Sequence, residues 1–138
     1  MKKLTLFVIC AVLSSCTVYA PFSDVPVKDI PEDTKSIIVY GDLQEVKQAF
    51  VKENFIVEQN SEQEFTTKPK DFKAMVTIYY QAMKEEDKTR VVAIDKRDYD
   101  SFRVGSQEGF LNETDQAIIF STIIEVCENS GLKYKVEG

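Results

Sequence analysis

The sequence predicts an α+β domain: a two-layer antiparallel β-sheet with two α-helices on one face, in the order β-α-β-β-β-β-α-β. Three observations carry this. Phe72, Ala74, Val76, Ile78, Tyr80 and Ala82 occupy every second position, the period of a half-buried strand. Leu43, Val46 and Phe50, and later Ile119, Ile123 and Val126, recur at the spacing of one helix face. Short turn signals separate the strands between the two helical stretches, so sequence neighbours pair antiparallel. Such a sheet buries one face, and two amphipathic helices supply its cover.

Each element has a local reason. Ser36-Ile-Ile-Val-Tyr40 is a β-branched run ended by Gly41, which makes it the first strand. Asp42 opens the first helix: its carboxylate caps free backbone amides, and Glu45 reaches back three residues. Ala49 joins the Leu43, Val46 and Phe50 stripe, and Asn54 suits a left-handed stop. Phe55-Ile-Val-Glu58 and Glu64-Phe-Thr-Thr67 are two short strands around a turn at Asn60-Ser61, and Lys68-Pro69-Lys70-Asp71 ends the second. The 72–82 run follows as one strand. A charged hairpin, Glu85-Glu86-Asp87-Lys88, returns it through Arg90–Ile94, with Tyr99–Val104 as a continuation. Asn112 begins the second helix, with Glu113 and Asp115 at the positive end of its dipole. Ala117, Phe120, Ile124 and Cys127 widen its apolar face, so this helix should be the more buried. Asn129-Ser130-Gly131 ends it, and Leu132, Tyr134 and Val136 alternate in a last strand.

The chain starts differently. Met1-Lys2-Lys3 is positive, residues 4–13 are apolar apart from Thr5, and Leu13-Ser14-Ser15-Cys16 closes the run. Charge, short apolar stretch and small residues in that order make a secretory signal peptide. The run is about half the roughly 20 residues of a membrane span. Its ending resembles the lipobox of bacterial lipoproteins. The resemblance implies cleavage before Cys16, a diacylglyceryl group on its sulfur, and residence in the cell envelope as a lipid-anchored protein. Thr17 is not the aspartate that resembles an inner-membrane retention signal, so the outer membrane of a Gram-negative bacterium, facing the periplasm or outside, is the expected address. The expected organisation is a signal peptide (1–15), a lipidated Cys16 with an extended tether (16–35), and a single α+β domain (36–138). Pro21, Pro26 and Pro31 and scattered charges argue for the tether. Val25, Val27 and Ile30 alternate enough to lie along the domain instead.

Composition excludes several functions. Of 138 residues, 17 are basic and 23 acidic. Loss of residues 1–15 removes Lys2 and Lys3 and leaves 15 basic and 23 acidic, a net charge of −8. That disfavours nucleic acid, whose phosphates need a positive surface, and general docking on anionic lipid. The chain has no histidine, so a Ser-His-Asp or Cys-His nucleophile cannot be assembled, and the commonest zinc ligand is missing. With Cys16 lipidated and Cys10 removed, Cys127 has no disulfide partner and is expected to be buried packing. Five glycines leave no phosphate-binding loop, and Gly105 to Gly109 reads as a strand-to-helix connection. Asp95, Asp98 and Asp100 lack calcium-loop spacing and enclose Lys96 and Arg97. No cofactor or metal, and no catalysis, is expected.

The element order resembles the TATA-binding-protein-like, helix-grip arrangement of the BamC-type lipoprotein domains. Residues 43–57, a helix and a Phe-led strand, followed by the Thr-rich Glu64–Thr67, carry that similarity, which includes no catalytic signature. One further feature points outward. Met75, Thr77, Tyr79, Gln81 and Met83 form the second face of the long strand, where a plainly solvated face would hold more charge. Two methionines with a tyrosine resemble an adaptable contact surface. The function expected is therefore non-enzymatic: binding or scaffolding of an envelope protein from a lipid anchor. The alternative is carriage of a small apolar ligand in a groove between the sheet and the second helix.

Overall fold

The computed structural model describes Phe22 and residues 25–73, 76–96 and 113–138. Among these residues, from Ser36 on, seven strands and two helices follow in the order β1 (Ser36–Val39), α1 (Leu43–Lys52), β2 (Val57–Gln59), β3 (Glu64–Thr67), β4 (Lys70–Lys73), β5 (Val76–Glu85), β6 (Lys88–Asp95), α2 (Glu113–Asn129) and β7 (Tyr134–Glu137). The strands form one sheet in the spatial order β2-β3-β5-β6-β1-β7, with β4 also paired to β5. Every pairing is antiparallel. This is the expected α+β architecture. Helix α1 carries the chain from β1 across to the β2 edge, and α2 returns it from β6 to the β7 edge.

One strand more than expected lies between the helices. The alternating run from Phe72 is two strands: the chain reverses between Lys73 and Val76, and β4 folds back on β5 with Asp71 opposite Thr77 and Lys70 opposite Ile78. The register shifts between Asp71 and Lys73, leaving Phe72 as the extra residue of a bulge. Phe72 still packs on the core with Val76, Ile78, Tyr80 and Ala82. A hairpin reversal hides inside a period-two pattern when both arms present their apolar residues to the same side.

The helix ends follow local chemistry. Glu45 N–H donates to Asp42 Oδ1 at 2.9 Å and Asp42 N–H to Glu45 Oε1 at 3.3 Å, the reciprocal capping box. At the other end Asn54 takes φ 69°, Phe55 N–H reaches back to the Phe50 carbonyl at 3.0 Å, and the two rings meet edge-on at 5.2 Å. Helix α2 ends in the same way: Gly131 takes φ 68° and Leu132 N–H donates to the Cys127 carbonyl at 2.9 Å. Both are six-to-one closures that satisfy orphan carbonyls around one left-handed residue.

The core lies between helices and sheet. Ile37, Phe50, Phe65, Ile119, Phe120 and Ile123 have no exposed surface. Each such side chain contributes about 2 kcal/mol on leaving water. Tyr80, in the centre of β5, donates its hydroxyl to the Ile119 carbonyl at 2.7 Å and so ties α2 to the sheet. Helix α2 is buried beyond its apolar face, since Gln116, Ser121 and Thr122 are buried too.

The second cover of α2 comes from the segment expected as a tether. Its described part lies against the domain. Lys28 N–H donates to Ser121 Oγ at 2.9 Å, the Lys28 ammonium meets Glu128 at 3.2 Å, and Gln116 Nε2 donates to the Thr34 carbonyl at 2.8 Å. Ile30 packs on the core while Val27 faces solvent. Phe22 is buried, its ring edge-on to Phe72 at 5.4 Å. Pro26 and Pro31 therefore lie in a strap on the domain rather than in a free spacer. Apolar Phe22 and Ile30 outweigh its charges, which stay at the rim. The signal peptide, Cys16, Ala74, Met75, the Tyr99–Val104 continuation, Asp98, Asp100, the Gly105–Gly109 connection and Asn112 lie outside the described residues.

Candidate functional site

Strand β5 sorts its side chains cleanly. Val76, Ile78, Tyr80 and Ala82 are buried under the helices, and Thr77, Tyr79, Gln81 and Met83 alternate with them on the second face, each half-buried. Four of the five nominated contact residues thus share one column, and the fifth, Met75, lies outside the described residues. Register places Thr77 beside Asp71, Gln81 between Thr66 and Val92, Tyr79 beside Ile94, and Met83 between Glu64 and Arg90.

The polar members of the column are engaged within the sheet. Thr77 donates its hydroxyl to Asp71 Oδ1 at 3.2 Å, and Gln81 Nε2 donates to Glu64 Oε2 at 2.7 Å. Next to them Arg90 spans three strands. Its Nε and Nη2 hold the two oxygens of Glu85 at 2.5 and 2.9 Å, and Nη1 donates to Ser36 Oγ at 2.7 Å and Glu137 Oε1 at 3.1 Å. A bidentate guanidinium–carboxylate pair is the strong form of this contact. It raises the Arg90 pKa further and holds the Glu85 carboxyl below its ordinary value, in both cases chiefly through that hydrogen bond.

The face also carries residues that alternation does not reveal. Ile38, Val92 and Ile94 point to it, opposite the core cluster, and are 5 %, 0 % and 4 % exposed. The signal was present in the sequence as a different pattern. Ile37-Ile-Val39 and Val91-Val-Ala-Ile94 are continuous apolar runs, which mark strands shielded on both faces. The second face is thus an apolar centre of Ile38, Val92 and Ile94, with Tyr79 and Met83 beside it and the Arg90 clamp at one end.

Other candidates resolve into structure. The space between the sheet and α2, proposed for an apolar ligand, is occupied by Ile37, Val91, Ile119 and Ile123 at zero exposure. An open groove of about 490 Å³ lies elsewhere, along α1 and the end of α2, lined by Asp42, Gln48, Lys52 and Leu132 among others. Its charged groups serve the helix ends. Asp42 and Glu45 form the capping box, and Lys52 Nζ donates to the Asn129 carbonyl at 3.1 Å. Cys127 is buried on α2, and desolvation, with Glu128 nearby, pushes its thiol up to about 12. A thiol held protonated is neither nucleophile nor ligand. Burial likewise raises the Tyr80 phenol, which stays neutral and donates. Among the described residues no cluster of three or more His, Cys, Asp or Glu is placed to hold a metal, and no helix is long and apolar enough to cross a membrane.

Comparison with family models, curated proteins and solved structures finds no match to the chain.

Proposed function

We propose that this chain is an envelope lipoprotein, anchored through Cys16 and acting without catalysis as a binding or scaffolding module. The observation that carries the proposal is Leu13-Ser14-Ser15-Cys16 at the end of a positively started, short apolar run. Two or more acyl chains there hold a protein stably on a bilayer, at about 0.8 kcal/mol per buried methylene. The second sheet face supports the binding half of the proposal. Tyr79 and Met83 are half-buried side chains at the rim of the buried Ile38, Val92 and Ile94, and beside them Arg90 ties together the Glu85, Ser36 and Glu137 side chains. A rigid face with an aromatic anchor and an adaptable thioether suits an envelope protein partner.

The test is photo-crosslinking in living cells. A photoreactive phenylalanine replaces Tyr79 or, as a control, Glu86 at the β5–β6 turn. The proposal expects one discrete envelope adduct from position 79, absent from position 86 and lost on Met83→Glu. Adducts that are the same from both positions contradict it.

A further inference from the structure

The place where the strap enters the fold sets how the domain stands on its membrane. Phe22 is 5 % exposed and wedged edge-on against Phe72 of β4, 5.4 Å between centroids, with Tyr80 at 6.5 Å. Only residues 17–21 separate it from Cys16. Fully extended, that stretch spans at most about 20 Å. If Cys16 carries the lipid, β4 and its surroundings therefore lie within that distance of the headgroups. The domain is moored at a defined edge rather than floated on a twenty-residue spacer.

The turn that joins β3 to β4 is locally basic, with the exposed Glu58 of β2 opposite Thr66 at its rim. The segment Thr66-Thr-Lys-Pro-Lys-Asp-Phe-Lys73 holds three lysines and one aspartate, in a chain that carries eight excess negative charges after processing. Lys68 is exposed, and Lys70 Nζ sits 5.5 Å from the centroid of the Phe55 ring. Asp71 is partly occupied by the Thr77 hydroxyl. Ile56 is 59 % exposed, and its carbonyl accepts the Lys68 N–H at 2.8 Å. An exposed isoleucine tied through its backbone to an exposed lysine is the chemistry of a surface that rests on anionic headgroups.

We infer that the lipidated protein lies with Ile56, Lys68 and Lys70 against anionic phospholipid headgroups, leaving the Glu86–Asp87 turn pointing away. The inference rests on lipidation at Cys16 and adds a fixed orientation to it. The sequence-wide charge disfavours docking by the domain alone. Anchoring changes that, because a chain of at most about 20 Å lets this basic turn reach the headgroups, inside the roughly 10 Å over which exposed charges act, while more distant acidic groups are screened.

The test uses the full lipidated protein on vesicles containing phosphatidylglycerol and a headgroup-attached nitroxide quencher. A fluorophore is attached through Lys68→Cys or, separately, Glu86→Cys; the buried Cys127 stays unlabelled. The expected result is several-fold stronger quenching at position 68 than at position 86. That difference should shrink in phosphatidylcholine vesicles, in the Lys68→Glu/Lys70→Glu background (labelled at position 56 instead), and in Phe22→Ala, which lengthens the free chain. Equal quenching at 68 and 86 with the protein on the vesicles overturns the orientation alone. A protein that stays in solution overturns the anchor, and the orientation with it.

Discussion

The hydroxyl of Tyr80 donates to the main-chain carbonyl of Ile119 at 2.7 Å, at a depth where neither residue shows surface to solvent. Tyr80 stands at the centre of β5 and Ile119 in the second turn of α2, 39 residues apart. The same ring meets Phe50, Phe55 and Phe22 at 5.8, 5.8 and 6.5 Å. One side chain thus joins the sheet, both helices and the strap. Because burial raises the phenol's pKa, the donor persists at any pH the cell meets.

Tyr80→Phe keeps the ring and deletes the donor. The Ile119 carbonyl keeps its helical partner, but the hydroxyl's contact with the Thr122 side chain goes too, so the loss should be at least that of one buried hydrogen bond, about 1 to 2 kcal/mol. Urea unfolding should show a lower midpoint with an unchanged slope. A midpoint equal to the parent's would show that the bond holds nothing.

The clamp between Arg90 and Glu85 makes part of the stability depend on acid. The Glu85 carboxyl is held below its ordinary value in the folded protein by the Arg90 hydrogen bonds. A depressed carboxyl contributes stability above its unfolded pKa, about 4.3, and loses it as pH falls through the lower folded value. The melting-temperature gap between the parent and Arg90→Met should therefore be largest near neutrality and close as the pH drops below about 4. A gap independent of pH would remove Glu85 from the explanation.

Cys127 should be silent. With its thiol pushed up to about 12 by burial, almost no thiolate exists at pH 8. A chromogenic disulfide added to the folded domain should react at the rate of unfolding, and at once in denaturant. Immediate stoichiometric reaction in native buffer would place the sulfur at the surface.

Helix ends and strand identities were legible in the sequence where one residue decides them. Asp42 with Glu45, Asn54 and Gly131 each act through their own side chain or backbone freedom, and each does in the fold what its type predicts. The Thr77, Tyr79, Gln81 and Met83 column was legible because alternation is a property of β5 alone. What escaped depends on distant chain. The β4–β5 reversal leaves the apolar period intact, so only pairing reveals it. The strap reads as a spacer because its contacts, Lys28 to Ser121 and Thr34 to Gln116, span 93 and 82 residues. Buried polar groups on α2, Gln116 and Ser121, were the available hint: polar side chains on an otherwise apolar helix need partners from somewhere.

A thioether-linked lipid at Cys16 underlies both the envelope address and the orientation proposed for the domain. Cells expressing the parent or Cys16→Ser are fed a clickable palmitate analogue, and the purified chains are read for fatty-acid label and intact mass. The parent should carry the label on a chain that begins at residue 16. Cys16→Ser should carry none and retain residues 1–15. A parent without label, or a labelled Cys16→Ser chain, would contradict the anchor and everything built on it.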